Sequence, residues 1–212
     1  MLLRNINILL FVFISSFCFG QDSVPYSKEY EFKEGIFLSL EHFKNNDPIT
    51  KKMIVSGIPK AQTDFFTELI EQKTIVFKDS AGAEKTIQTA SIWGYCQNRS
   101  IYLNFNKEFT RLNVIGNLCH FTSMVTVQGS YRDPMDYNYG INNTYQELRQ
   151  FVYDTKNNKV LDFNSKNMEL LLTDDEVLHK EFMVLKKKQK ADSIFIYLRK
   201  YNEKHPLYLS KN

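Results

Sequence analysis

The sequence predicts an α+β fold, with a mainly antiparallel sheet, a short helix before it and a C-terminal helical pair. Between residues 74 and 163, short runs of β-branched and aromatic residues alternate with turn residues, which is typical of neighbouring antiparallel hairpins. Apolar residues recur at helical spacing at residues 60–72, and again in two stretches beyond residue 165. We therefore expect a sheet of about six to eight strands that is covered by helices.

The start of the chain has the composition of an export signal. Arg4 precedes an apolar stretch from Ile8 to Phe13, and Cys18 and Gly20 supply small side chains before the chain turns polar. We expect cleavage after Gly20. Two alternatives remain open. The stretch could anchor the chain, although it is shorter than the roughly 20 residues that span a bilayer, or Cys18 could carry a lipid, although the large Phe17 precedes it.

The mature chain is expected to form one domain with an appendage. Residues 1–20 are the signal peptide, residues 21–164 form a β-rich core with a loop at 129–145, and residues 165–212 form a helical segment packed on that core. The whole sequence has 27 basic and 24 acidic side chains, and this balance argues against a nucleic-acid partner. No second apolar run approaches membrane-spanning length, so no transmembrane segment is predicted in the mature chain.

The C-terminal helices are predicted from a capping motif and two apolar stripes. Thr173 to Glu176 matches a capping box that would begin the first helix. Leu178, Phe182 and Leu185 recur on one face of that helix. Ile194, Leu198 and Tyr201 do so on the last helix, and we expect both stripes to be buried. The basic run from Lys186 to Lys190 is predicted to close a helix, where cations suit the carbonyl end of the dipole. Contact with anionic lipid or glycan is the alternative use of that run.

One hairpin of the sheet can be predicted residue by residue. A loop at residues 97–100 places Tyr95 opposite Tyr102. Side chains alternate between the two faces along each strand, and one face is assigned to the core. The other face is either a packing layer under the helices, which we favour, or an exposed aromatic surface. The core face comprises Ile92, Gly94, Cys96, Ile101, Leu103 and Phe105, and the second face comprises Trp93, Tyr95, Tyr102 and Asn104.

The segment at 129–145 has no apolar period and is predicted to be a long loop. A tyrosine side chain offers a large contact area and has few rotatable bonds to be ordered on binding. If a partner binds this protein through one segment, we expect that segment to be this loop. A disordered excursion is the alternative, and the face of Trp93, Tyr95 and Tyr102 is a second candidate surface. The candidate binding residues of the loop are Tyr131, Tyr137, Tyr139 and Tyr145.

The sequence offers no constellation of catalytic residues or metal ligands. Cys119 and His120 are adjacent, but neighbours along a strand point to opposite faces and cannot act as a pair. Asp133 and Asp136 lack the rest of an EF-hand pattern, so we predict no metal and no cofactor. In an exported chain Cys119 and Cys96 could form a disulfide, or both could be small buried hydrophobes.

Three patches of the sequence carry a resemblance to a known group. They are Glu34 to Asn46 (EGIFLSLEHFKNN), Ile92 to Cys96 (IWGYC) with Ile101-Tyr102, and Tyr197 to Tyr208 (YLRKYNEKHPLY). In these patches the chain resembles a group of uncharacterised exported proteins of Bacteroidota. The resemblance implies a bacterial envelope and a shared fold, but no reaction.

The sequence therefore favours an exported, non-catalytic binding or structural protein of the bacterial envelope. We expect it in the periplasm or on the outer surface, with extracellular release left open, and an envelope protein or a glycan as its partner. A small periplasmic hydrolase or transferase with unrecognised chemistry is the alternative. A buried pocket with convergent titratable groups would favour the enzyme, whereas a filled core and an exposed aromatic patch would favour binding.

Overall fold

The computed structural model of the protein describes residues 23–128 and 144–211. The strands are β1 (Ser23–Pro25), β2 (Gly35–Phe37), β3 (Ile54–Val55), β4 (Thr74–Lys78), β5 (Glu84–Gln88), β6 (Gly94–Gln97), β7 (Ser100–Phe105), β8 (Glu108–Val114), β9 (Leu118–Gln128), β10 (Thr144–Asp154), β11 (Lys159–Asp162) and β12 (Tyr208–Ser210). The helices are α1 (Leu40–Lys44), α2 (Phe65–Ile70), α3 (Ser165–Leu171), α4 (Glu176–Met183) and α5 (Lys187–Lys204). The predicted α+β class is confirmed.

Seven strands form one curled antiparallel sheet in the order β11-β10-β9-β8-β7-β6-β2. Consecutive strands from β6 to β11 are neighbours, as expected for a series of hairpins. A smaller three-stranded sheet, β3-β4-β5, and a two-stranded pair, β1-β12, complete the β structure of the described residues.

Three groups of buried side chains hold these layers together. The inner face of the main sheet encloses an aromatic core that includes Phe43, Phe121 and Phe151. The outer face is covered at one end by α2 and the small sheet, and at the other end by α3 to α5. Leu198 of α5 is fully buried in the last of these groups, as predicted from the apolar stripe.

The ends of the described chain meet in the pair formed by β1 and β12. Val24 pairs with Leu209, and the Tyr26 N–H donates to the Leu207 carbonyl at 2.7 Å. The Tyr30 hydroxyl donates to the Ser210 carbonyl at 2.8 Å. This pair closes one end of the aromatic core.

The predicted register of the β6-β7 hairpin is confirmed, with Tyr95 opposite Tyr102. The predicted faces are wrong for two residues, because Ile92 packs with Tyr95 and Trp93 packs in the aromatic core. A 3₁₀ turn at Thr89–Ser91 precedes β6, and regular strand begins only at Gly94. Alternation therefore does not extend back to Ile92 and Trp93.

The C-terminal helical segment differs from the prediction in three ways. It contains α3 in addition to the expected pair. The N-cap of α4 is Asp175, whose carboxylate accepts from the Leu178 N–H, whereas the Thr173 hydroxyl donates to the Leu170 carbonyl at the end of α3. The basic run begins α5 instead of closing a helix. The sequence did not predict this, because α4 ends at Met183 and no Gly or Pro separates it from α5.

Most of the segment predicted as a loop, residues 129–143, lies outside the described residues. Strand β10 begins at Thr144, so the prediction is wrong for Tyr145, which belongs to a strand. Tyr131, Tyr137 and Tyr139 lie outside the described residues, as do Asp133, Asp136 and the segment predicted to be an export signal.

Candidate functional site

The aromatic residues predicted for the second face of the hairpin lie within the molecule. Tyr95 is buried and stacks on Tyr102, with ring centroids 4.6 Å apart and planes at 5°. Trp93 stacks on Phe43 at 4.5 Å, and its indole N–H donates to the Tyr153 hydroxyl at 3.1 Å. The packing interpretation is confirmed for Tyr95 and Tyr102, whereas Trp93 packs on the opposite face of the sheet. A binding role for Trp93 and Tyr102, which keep part of their surface exposed, stays a prediction.

Polar side chains converge instead at a cleft beside the C-terminal helices. The cleft has a volume of about 370 Å³ and lies between the β10-β11 hairpin, the end of α3, and α5. Its polar wall is formed by the charged or hydrogen-bonding side chains Asp154, Lys156, Asn157, Lys159, Thr173, Asp174 and Tyr201, and its apolar wall by Leu118, Leu161, Leu170 and Leu171. The cleft is therefore lined mainly by polar side chains, with apolar surface along one side.

Lys156, Asp174 and Tyr201 form a closed triangle of hydrogen bonds at the centre of the polar wall. The Lys156 ammonium donates to the Asp174 carboxylate at 2.6 Å and to the Tyr201 hydroxyl at 2.7 Å. The Tyr201 hydroxyl donates to the same carboxylate oxygen at 2.7 Å. The side chains of Lys156 and Asp174 are 40% and 45% exposed, so a ligand in the cleft can reach both charges.

The position of Tyr201 is fixed by its neighbour on α5. The Asn202 side chain accepts from the Leu118 N–H at 2.9 Å and donates to the Leu118 carbonyl at 2.8 Å. These two hydrogen bonds join α5 to β9. A Cβ atom at Gly116 would lie 2.4 Å from the Asn202 side chain, so this close approach requires glycine. Asn117 adds bonds to the carbonyls of His205 and Pro206.

The hairpin that carries Lys156 is held by the buried carboxylate of Asp154. This group accepts from the backbone N–H of Lys156 at 2.9 Å and from the Asn157 side chain at 2.7 Å. Asn158 takes a left-handed conformation with φ 51°, which asparagine tolerates in tight turns. Its side chain accepts from the Tyr153 hydroxyl at 2.7 Å, so the turn is tied to the core.

Asp174 is placed by the cap of the next helix. The adjacent Asp175 carboxylate is 2% exposed and pairs with the Lys204 ammonium and the His205 ring, each at 2.7 Å. Its hydrogen bond to Lys204, together with those to the Leu178 N–H and His205, lowers the pKa of Asp175 despite the opposing effect of burial. The α3-α4 connection is thereby anchored to the end of α5.

The charge states at the cleft are set by burial and by the triangle itself. Burial raises the pKa of Tyr201 to about 12. Burial alone would raise the pKa of Asp174 and lower that of Lys156, but their hydrogen bonds outweigh it. The pKa of Asp174 is lowered and that of Lys156 is raised. At neutral pH the wall therefore presents an ammonium, a carboxylate and a neutral phenol.

The basic run at the start of α5 lies beside a second, smaller cleft of about 300 Å³. Lys190 is buried there and pairs with Glu169 at 2.5 Å, so its charge is neutralised within the chain. Lys186, Lys187 and Lys188 are exposed. Their contact with anionic lipid or glycan stays a prediction.

The cysteine and histidine side chains form no reactive pair in the described chain. Cys96 and Cys119 are both buried and free, and burial raises the pKa of each thiol to about 12. Cys119 packs in the aromatic core, whereas His120 lies between the rings of Phe163 and Phe195 on the other side of the sheet. The prediction that the two neighbours face apart is confirmed.

The fold and the cleft define the class of protein: an α+β chain whose curled antiparallel sheet carries an open polar cleft beside its C-terminal helices. Among the described residues, no helix is long and apolar enough to cross a bilayer. The chain belongs to the family of unknown function DUF6563, whose model matches residues 35–205. No curated protein and no solved structure matches it. The matched range contains every residue of the cleft and ends before β12.

Proposed function

We propose that this protein is an exported, non-catalytic binding protein of the bacterial envelope and that it holds a small polar ligand in the cleft at Tyr201. The observation that carries the proposal is the triangle of Lys156, Asp174 and Tyr201 in a cleft that also has an apolar wall. The ammonium can bind an anionic or hydroxyl oxygen of the ligand, and the carboxylate can accept from a hydroxyl or an amine. Sugars and amino acids carry such groups.

The protonation states favour binding over catalysis. A general acid or base works best when its pKa lies near the operating pH. The pKa of Tyr201 is raised to about 12 and that of Asp174 is lowered, so both groups keep their protonation state at neutral pH. Titratable groups do converge, as an enzyme would require, but in an open cleft whose charged groups neutralise one another.

Ligand-induced stabilisation tests the proposal. The chain from residue 21 onward is screened by thermal unfolding against monosaccharides, amino acids and small carboxylates. A ligand that raises the melting temperature of the wild type is then titrated against Lys156→Met and Asp174→Asn. We expect each variant to bind it at least about tenfold more weakly, since a charge-assisted hydrogen bond contributes about 1.5 to 3 kcal/mol.

Lys200→Met is the matched control. Lys200 lies beside Tyr201 on α5 and pairs with Glu181 at 3.0 Å, away from the cleft. This variant should bind as the wild type does. A ligand that binds Lys156→Met with unchanged affinity would place the site elsewhere. Turnover of chromogenic esters or glycosides that disappears in Asp174→Asn would favour the hydrolase instead.

A further inference from the structure

The α4-α5 corner, from Met183 to Lys188, presents apolar side chains to solvent. Val184, the C-cap of α4, is 81% exposed, more than any other large apolar side chain of the described residues. Met183 beside it is 46% exposed. The next residue, Leu185, packs against the buried group beneath the helices and so holds the turn in place. The exposed apolar surface is therefore a fixed feature of the fold.

Unpaired positive charges surround the α4-α5 corner. Lys186, Lys187 and Lys188 follow Leu185 directly, and all three are exposed. Lys166 of α3 is also exposed and lines the second cleft together with Lys187. None of these four ammonium groups forms an ion pair within the part of the chain that the structure describes.

The carboxylates of the neighbouring helices leave most of this charge in place. Glu169 pairs with Lys190 in the second cleft, and Glu181 pairs with Lys200. Asp192, on the second turn of α5, has no ion-pair partner among the described residues and offsets one of the four charges. The α4-α5 corner therefore carries a surplus of positive charge around its apolar side chains.

The second cleft opens beside the α4-α5 corner and has groups that suit a phosphate. Its volume is about 300 Å³, and it is lined by Ser165, Lys166, Glu169, Leu185, Lys187 and Lys190. Lys166 and Lys187 are the unpaired ammonium groups of this lining, and the Ser165 hydroxyl is a further donor. Phosphate oxygens accept charge-assisted hydrogen bonds from ammonium groups.

We propose that the α4-α5 corner binds the surface of a bilayer that contains anionic phospholipid, with Val184 in the apolar layer and a lipid phosphate at Lys166 and Lys187. Clustered lysines are attracted to anionic lipid. An exposed apolar side chain gains free energy when it leaves water. A polyanionic glycan would match the charge of the corner but offers no apolar layer to Val184, so the two features together favour a bilayer.

This contact does not depend on the ligand cleft at Tyr201. Lys187 and Tyr201 lie about 21 Å apart along α5, at about 1.5 Å per residue. Lys156→Met, which should weaken binding of the small ligand, should therefore bind vesicles as the wild type does. Each of the two proposals can fail while the other holds.

Vesicle flotation tests the contact, with the chain from residue 21 onward and vesicles of phosphatidylcholine and phosphatidylglycerol in equal parts. We expect binding to these vesicles that weakens as salt is added, and much weaker binding to phosphatidylcholine alone. Lys187→Gln should bind about fivefold more weakly, the change expected for one lysine at an anionic surface. Val184→Ser should also bind more weakly, because its side chain loses apolar surface.

Lys73→Gln and Val55→Ser are the matched controls. Lys73 is exposed and has no ion-pair partner among the described residues, and Val55 is 42% exposed. Both belong to the region of the small sheet, at the other end of the main sheet from α4 and α5. These variants carry the same chemical changes and should bind vesicles as the wild type does.

Three results would overturn the proposal. The first is equal binding of the wild type to vesicles with and without phosphatidylglycerol. The second is unchanged binding of Lys187→Gln or of Val184→Ser; a loss confined to the lysine variant would indicate a polyanionic glycan instead. The third is release from the vesicles by inorganic phosphate at matched ionic strength, which would show that the cleft takes a free anion. Unchanged melting temperatures of the variants exclude unfolding as the cause.

Discussion

Replacement of Leu198 by alanine should destabilise the whole protein, because α5 is an integral part of the fold. Leu198 is fully buried between α5 and the outer face of the sheet. The change removes three carbon atoms, which are worth about 2.4 kcal/mol at about 0.8 kcal/mol each. The cavity left behind brings the expected loss of unfolding free energy to about 3 to 5 kcal/mol, since close neighbours such as Phe182 and Tyr201 are themselves fully packed.

Chemical denaturation followed by circular dichroism measures this loss. Ile196 supplies the control, because it lies on the same helix but is 54% exposed. Ile196→Ala should change the unfolding free energy by no more than about 0.5 kcal/mol. The melting temperature of Leu198→Ala should fall by roughly 6 °C or more. Equal stabilities of the two variants would show that α5 does not pack on the sheet. In that case Tyr201 could not line the cleft.

Three further predictions concern single side chains. Burial lowers the pKa of His120, so the folded protein loses stability as the pH falls from about 6.5, the pKa of an unfolded histidine, toward the lower pKa of the folded state. His120→Gln should therefore flatten the dependence of the melting temperature on pH in that window. Cys96 and Cys119 should react with a polar maleimide only after unfolding, and rapid labelling of the native protein would contradict their burial. Secreted material should begin at Gln21, and an intact mass that includes residues 1–20 or a lipid on Cys18 would contradict the predicted cleavage.

Local periodicity was sufficient to predict much of the sheet. The register that sets Tyr95 opposite Tyr102 follows from a short turn and the two-residue repeat of a strand, and both act over a few residues. The prediction failed at Trp93, which lies between the 3₁₀ turn at Thr89–Ser91 and the start of β6 at Gly94. It failed again at Lys186, because the break between α4 and α5 has no glycine or proline to mark it.

The cleft could not be predicted in this way, because its residues are distant in the sequence. Lys156 lies in the turn between β10 and β11, whereas Asp174 belongs to the predicted capping motif and Tyr201 to an apolar stripe. Their convergence depends on the contact of Asn202 with Leu118, which only the tertiary packing reveals. No periodic or compositional signal in the sequence marks these three residues as a group.

The pairing of Val24 with Leu209 also has a consequence for how the chain reaches its final state. Nearly all the described residues lie between these two partners, so the contact has a very large sequence separation and a high entropic cost of closure. During synthesis from the N-terminal end, β1 appears before β12 and cannot pair until β12 has appeared. The aromatic core beneath the pair therefore stays open to water until the end of assembly.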